Sequence, residues 1–327
     1  MNLSWISKYR GQLMGVAILM VALFHSSIVH TNDLIDFFCF SGDMGVDIFF
    51  FLSGFGMYYA CLKKPTYGQF MKKRMVRIVP AWFLVNLYGQ LDAVGFDLTK
   101  LNAWGTIKCM TGLSFLLNGT LLFWYIPAQL LFYAMTPLFM RIYEKSRFKA
   151  YLTYGVVWIG LLGLSILFHN GRYFIFLFRW PVYFLGITFG ELSDRKVEIG
   201  KKYLIIAGII GAFGMVFVNL VRKYNYLSFV RYDYKYFAYV FVSIPLCLLL
   251  SLFFEKSRYF FKGLGFLGKI TLEIYLLHEM ILRKVQGTID LFLFDSWGVI
   301  INLIVFLGTI GVAWLLHYIL SVAGKNR

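Results

Sequence analysis

Two apolar runs, LMGVAILMVALFHSSIVH at 13–30 and GVDIFFFLSGFGMYY at 45–59, decide what kind of protein this is. A lipid-spanning helix needs roughly 20 apolar residues, and two runs of this kind separated by a short loop read as a pair of consecutive spans. The connecting loop carries Asp33, Asp36 and Asp43 and no lysine or arginine. The first run carries His25 near its far end and the second carries Asp47 near its start. Such groups are costly in a bilayer and are kept there for a function by default.

The rest of the 327-residue chain continues the pattern. Hydrophobic residues make up 60%, aromatics 20% and charged residues 15%, more apolar surface than a soluble domain of this length can bury. The expectation is an all-α fold, a polytopic membrane helix bundle forming one integral membrane domain over 1–327. About ten spans are expected, at 12–30, 44–62, 78–95, 118–140, 150–168, 173–190, 203–221, 236–254, 269–286 and 298–320. Within 98–123 the run Thr111–Leu122 is apolar but short, as in a re-entrant or interfacial piece. Lys8 and Arg10 precede the first run as in a signal peptide, but the run is too long and lacks an A-x-A-like cleavage site, so it reads as a retained span.

The formal charge of +16 does not call for a nucleic acid. With the N-terminus inside, 22 of the 32 lysines and arginines fall in inside segments, the bias that sets both termini in the cytoplasm. The exception is the outside loop 222–235, with four basic residues. Cys39, Cys61, Cys109 and Cys247 show neither metal-ligand spacing nor a disulfide framework, although Cys39 and Cys109 could both lie outside. No bound metal is expected. Glycines at 155, 160 and 163 and at 208, 211 and 214 are expected to let helices pack closely.

His25 can serve as a general base, because imidazole titrates near neutral pH. His30 lies five residues on, about 140° around a helix, so the two histidines do not share a face. Asp47 either caps or neutralises its helix start or orients His25 or another polar group. Ser53 and Gly54, in FFFLSGFG, favour close helix approach. In KKPTYGQFMKKRMVRIVP (63–80), Arg74 and Arg77 project from one helix face; such a pair suits phosphate groups or anchors lipid headgroups. Arg179 is the costliest buried charge and could pair with Asp92 or Glu273, or line a polar cavity. His278 is either a cavity group or a satisfied core histidine.

VALFHS at 21–26, GVDIFFFLSGF at 45–55, RMVRIVP at 74–80, FWYIPAQLLFYAMTP at 123–137 and IYLLH at 274–278 occur in one order over most of the chain. In that order the chain resembles the acyltransferase-3 family of integral membrane acyltransferases. The resemblance implies a roughly ten-helix enzyme of the cell membrane, multi-pass in the bacterial cytoplasmic membrane. It would move an acyl group, usually acetyl, from cytoplasmic acyl-CoA to a hydroxyl of an extracytoplasmic or lipid-linked glycan. His25 takes the place of the family's essential histidine and Arg74 and Arg77 that of its R-x-x-R pair. Ser53, Gln129 and Tyr133 fall in matching motifs as supporting residues, with Asp47, Arg179 and His278.

The expected partners are therefore the lipid bilayer, acyl-CoA as co-substrate and a sugar acceptor. Two positions depart from the family. Met14 stands where a basic residue often precedes the histidine by three turns, and Arg10, one turn earlier, should point away from His25. Gln129 stands where many members have a glutamate, and an amide cannot act as a general base. A glycan polymerase or flippase, or a non-catalytic relative of the fold, are the alternatives; short external segments disfavour a polymerase.

Overall fold

The computed structural model describes residues 1–26, 33–118, 123–168, 171–224, 234–257, 261–287 and 291–325, so His30 lies outside the described residues. These residues are helical apart from turns and a single bridge between Asn2 and Glu198. Ten helices have at least fifteen residues: α1 (Arg10–His25), α2 (Gly45–Leu62), α3 (Tyr67–Ala93), α4 (Tyr125–Lys145), α5 (Arg147–Leu167), α6 (Trp180–Asp194), α7 (Lys201–Tyr224), α8 (Tyr234–Lys256), α9 (Thr271–Gln286) and α10 (Leu291–Lys325). Five segments are long and apolar enough to cross a membrane: α5, 174–194 containing α6, α7, α8 and 297–324 of α10.

Local chemistry fixes several boundaries. α3 starts earlier than the expected span, because Thr66 and Gln69 form a reciprocal capping box and the basic segment is already helical. Ser146 caps α5 by accepting from the Lys149 amide. The expected span at 173–190 is divided, with a short helix Phe174–Leu177 followed by α6, whose Pro181 sits at the first turn. Proline disfavours helix in the residue before it and suits a helix start. The apolar stretch after residue 103 is likewise broken into Ala103–Thr111 and Leu113–Asn118 by Gly112, which is left-handed at φ +76°. All four cysteines are free thiols, so no Cys39–Cys109 bridge exists.

The helix carrying GVDIFFFLSGF is the centre of the bundle. From Gly45 to Phe55 every residue of α2 is buried, and α6, α1, α8 and α4 surround it. By contrast α5, α7 and α10 have only 17–22% of their spanning segments buried. They carry bare Ile159, Ile166, Phe213 and Leu307 outward, as lipid-facing helices do.

Close packing uses only some of the expected glycines, Gly54 among them. Gly155, Gly160, Gly163 and Gly208 face open space, whereas Gly211 and Gly214 meet α8. One of the tightest seams joins α2 to α6, where a Cβ on Gly54 would lie 2.0 Å from the Tyr183 carbonyl oxygen and one on Gly186 2.2 Å from that of Phe51. Gly54→Ala should therefore lower thermal stability in detergent by about 1–3 kcal/mol. Gly160→Ala, with nothing to strike, should leave it equal or higher because alanine is the better helix former. Equal stability of the two variants in a melting experiment would refute this account of the seam.

Candidate active site

His25 is the last residue of α1 and lines a cavity of about 820 Å³ together with Phe24, Trp124, Tyr236, Arg179 and Glu279. Its Nδ1 lies 3.0 Å from the Val21 carbonyl oxygen and 3.2 Å from Nε2 of His278. His278, on α9, is itself placed by its own helix, with Nδ1 2.8 Å from the Tyr275 oxygen and 3.1 Å from the Ile274 oxygen. A ring nitrogen facing two carbonyls must carry the proton, so neutral His278 donates from Nδ1 and offers a bare Nε2. His25 then donates from Nδ1, whether to His278 or to Val21. That leaves His25 Nε2 with a free lone pair, 3.9 Å from Glu279 Oε2. The arrangement has the logic of an oriented base, with a carboxylate poised to stabilise the imidazolium once a proton is taken.

A charged pair closes the wall of this cavity. Arg179 is 1% exposed and Asp47 is fully buried. Arg179 Nε donates to Asp47 Oδ2 at 3.0 Å, Nη1 to the Ile175 oxygen at 2.9 Å and Nη2 to the Asp43 oxygen at 3.4 Å. Its guanidinium also lies over Tyr236 at 4.3 Å and Trp124 at 5.1 Å. Next to it, buried Asp43 accepts from Lys235 at 2.8 Å and from the Tyr239 hydroxyl at 2.6 Å. Asp33 and Asp36 bind Arg222, and the Arg222 hydrogen bond holds the Asp33 carboxyl below the usual carboxylate range. The basic residues of the 222–235 loop that oppose the charge bias are thus, at Arg222, Lys223 and Lys235, counter-ions to the acidic loop before α2.

A second cavity, of about 410 Å³, contains Arg10, Met14, Ser53, Lys73, Arg74, Arg77, Gln129 and Tyr133. The two arginines of the R-x-x-R pair differ in their commitments. Arg77 binds buried Glu273 at 3.0 Å and the Lys269 oxygen at 3.3 Å, while His317 of α10 meets the same Glu273 oxygen at 2.9 Å. Arg74 has no carboxylate partner among the described residues; its Nε approaches Met57 Sδ at 3.3 Å and its guanidinium lies over Phe70 at 5.0 Å. The Ser53 hydroxyl faces those of Tyr125 and Tyr133. Tyr275 belongs to the walls of both cavities, with its ring 5.1 Å from that of Tyr125 and 5.8 Å from that of His278. Tyr275 is thus the residue that the basic chamber and the His25 chamber share.

Residues 13–318, nearly the whole chain, match the family described as an acyltransferase domain. The chain belongs to the acyltransferase-3 family. It is accordingly a multi-pass membrane protein of an acyltransferase family. Searches of curated proteins and of solved structures find no significant match.

In this acyltransferase-3 chain the expected site residues fall into two groups rather than one. His25 and Arg179 line the first cavity, with His278 and Asp47 behind them as their hydrogen-bond partners, and Arg74, Arg77, Ser53, Gln129 and Tyr133 line the second. Asp47 does not orient His25; its partner is Arg179. Nor does Arg179 pair with Asp92 or Glu273, since Asp92 binds Lys284 and Glu273 binds Arg77. Arg10 points away from His25 as its position requires, yet it enters the Arg74 cavity beside Met14, so the positive charge missing at Met14 is present there from one turn earlier. Glu279, Lys235 and Tyr275 carry no signal of their own in sequence. Glu279 directly follows His278, but only the contact between α1 and α9 brings it to His25.

Proposed function

We propose that this chain is an O-acyltransferase that takes an acyl group, acetyl by preference, from cytoplasmic acyl-CoA. It delivers that group to a hydroxyl of an extracytoplasmic or lipid-linked glycan. The observation that carries this reading is the pair of chambers meeting at Tyr275, one basic and one holding a base with a free lone pair. The basic residues collected near the Arg74 end support a cytoplasmic position for that chamber, with both termini on the same side and ten spans in all. Arg74 and its neighbours take the CoA phosphates, and the thioester reaches the Tyr275 partition.

From the other side the acceptor hydroxyl meets His25 Nε2. The base removes the hydroxyl proton as the oxygen attacks the thioester carbonyl; the C–O bond forms, the C–S bond breaks, and the thiolate leaves with a proton returned by imidazolium. Glu279 stabilises that imidazolium. The aromatic wall of Phe24, Trp124 and Tyr236 suits the apolar face of a sugar ring, and the hydrogen-bonding groups of the same chamber suit its hydroxyls. The direct test is incubation of the purified protein in vesicles with labelled acetyl-CoA and membrane glycan. Label appearing in alkali-labile glycan esters supports the reading, and protein that neither binds acetyl-CoA nor transfers label overturns it.

The unequal arginines give a sharper expectation. Arg74→Ala removes an uncommitted guanidinium and should raise KM for acyl-CoA about 10- to 100-fold, the worth of a lost charge-assisted contact, with little effect on folding. Arg77→Ala leaves Glu273, which is fully buried, with His317 alone, and should chiefly lower thermal stability. Melting curves beside acyl-CoA saturation curves separate the two effects; identical behaviour would remove the distinction.

A further inference from the structure

Gln129 is 1% exposed, and neither its Oε1 nor its Nε2 has a hydrogen-bond partner, although the residue lines the Arg74 cavity. The large majority of buried side-chain polar atoms in proteins are paired, and Gln129 is the side chain with both of its polar atoms orphaned among those described. An orphaned carboxamide aimed into a cavity therefore points to a ligand group that completes it. The complement of an acceptor and an NH2 donor is one N–H and one carbonyl, and because a trans secondary amide points these in opposite directions, a chain of successive amides supplies them.

Position along α4 says which part of a ligand this is. Tyr125, Gln129 and Tyr133 follow at intervals of four, on one helix face, spanning about 12 Å along the axis. At one end Tyr125 packs on the Tyr275 partition at 5.1 Å between ring centroids. At the other the Arg74 guanidinium lies 6.0 Å from the Tyr133 ring. A linear molecule with anions at Arg74 and its reacting end at Tyr275 must lay its middle across Gln129. Arg10, whose Nε is also buried without a partner in this cavity, lies within the same stretch.

We infer that Gln129 is a positioning residue that holds the pantetheine arm of the acyl donor, Oε1 accepting from the N–H of one of its amides and Nε2 donating to the carbonyl of the other. The assignment rests on the acyl-CoA reading above. It also gives the amide a purpose that a carboxylate at this position would serve only by half, since a carboxylate accepts but does not donate.

The test is displacement of labelled acetyl-CoA from purified protein by three competitors: CoA, pantetheine, and adenosine 3′,5′-diphosphate, which has phosphates but no arm. Gln129→Met should weaken CoA and pantetheine by the same factor, about tenfold for two neutral hydrogen bonds, and leave the diphosphate unchanged. Arg74→Ala should weaken CoA and the diphosphate and spare pantetheine. Ligand-free Gln129→Met should melt no lower than wild type, because it removes an unsatisfied polar group. If Gln129→Met does not accumulate, Gln129→Glu carries the same test, keeping the acceptor and losing the donor. Unaltered pantetheine competition, an equal loss of diphosphate competition, or a lowered melting point without ligand each overturns the assignment while leaving the acyl-CoA reading intact. Wild-type protein that fails to bind labelled acetyl-CoA overturns both.

Discussion

His25→Ala should reduce acyl transfer by two to four orders of magnitude, the usual contribution of a positioned general base, while leaving KM for acyl-CoA close to wild type. The separation follows from geometry, since His25 borders the chamber on the far side of Tyr275 from Arg74. Stability should change little, because His25 sits at the end of α1, where its polar contacts are those with Val21, His278 and Glu279. Glu279→Gln removes the charge facing the imidazolium at 3.9 Å but not the Nδ1 proton that fixes the tautomer. Its loss should be smaller, about tenfold, and confined to kcat. His25→Ala turning over at the wild-type rate, with the protein present in membranes at normal level, would remove His25 from the mechanism. A Glu279→Gln loss as large as that of His25→Ala would mean that the carboxylate, not the imidazole, takes the proton.

The second large effect concerns folding. Asp47→Ala leaves the Arg179 guanidinium buried without its counter-ion, and breaking a buried pair in this way costs about 3–5 kcal/mol. The variant should accumulate poorly and melt far below wild type in detergent. Replacing both members, as Asp47→Leu with Arg179→Met, removes the uncompensated charge and should recover much of the stability, since an apolar pair of similar volume is often neutral or better. Activity should not return, because Arg179 also shapes the wall of the His25 chamber through Ile175, Asp43, Trp124 and Tyr236. A double variant no more stable than Asp47→Ala would show that the pair is not the source of the loss.

The helical, membrane-spanning character was legible from two apolar runs, and the family from motif order, because both depend on neighbours in sequence. Pairings were not. Asp47 and Arg179 are 132 positions apart and His25 and His278 are 253 apart, and a single chain holds several carboxylates that could have neutralised one buried arginine. The sequence pattern favoured Gly54 but equally the glycine runs of α5 and α7, and a glycine matters most where another backbone arrives. That is decided at Gly54 and Gly186, which lie in different motifs. Helix breaks were partly readable: Pro181 announces the start of α6, whereas Gly112 declares its left-handed turn only in three dimensions. The differing roles of Arg74 and Arg77 depend on Glu273 and His317, which no spacing rule connects to α3.

Because Gly54 and Gly186 bring α2 and α6 into backbone contact, the two helices cannot slide past each other without collision and behave as one rigid strut. α9 is secured differently. On the α3 side its fastenings are side-chain ion pairs, Arg77 with Glu273 and Lys284 with Asp92, which can break and re-form without displacing a core. Yet α9 carries Tyr275, His278 and Glu279, three of the groups that define where the chambers meet. The strut is a frame, and the place of α9 against it sets where the two chambers meet.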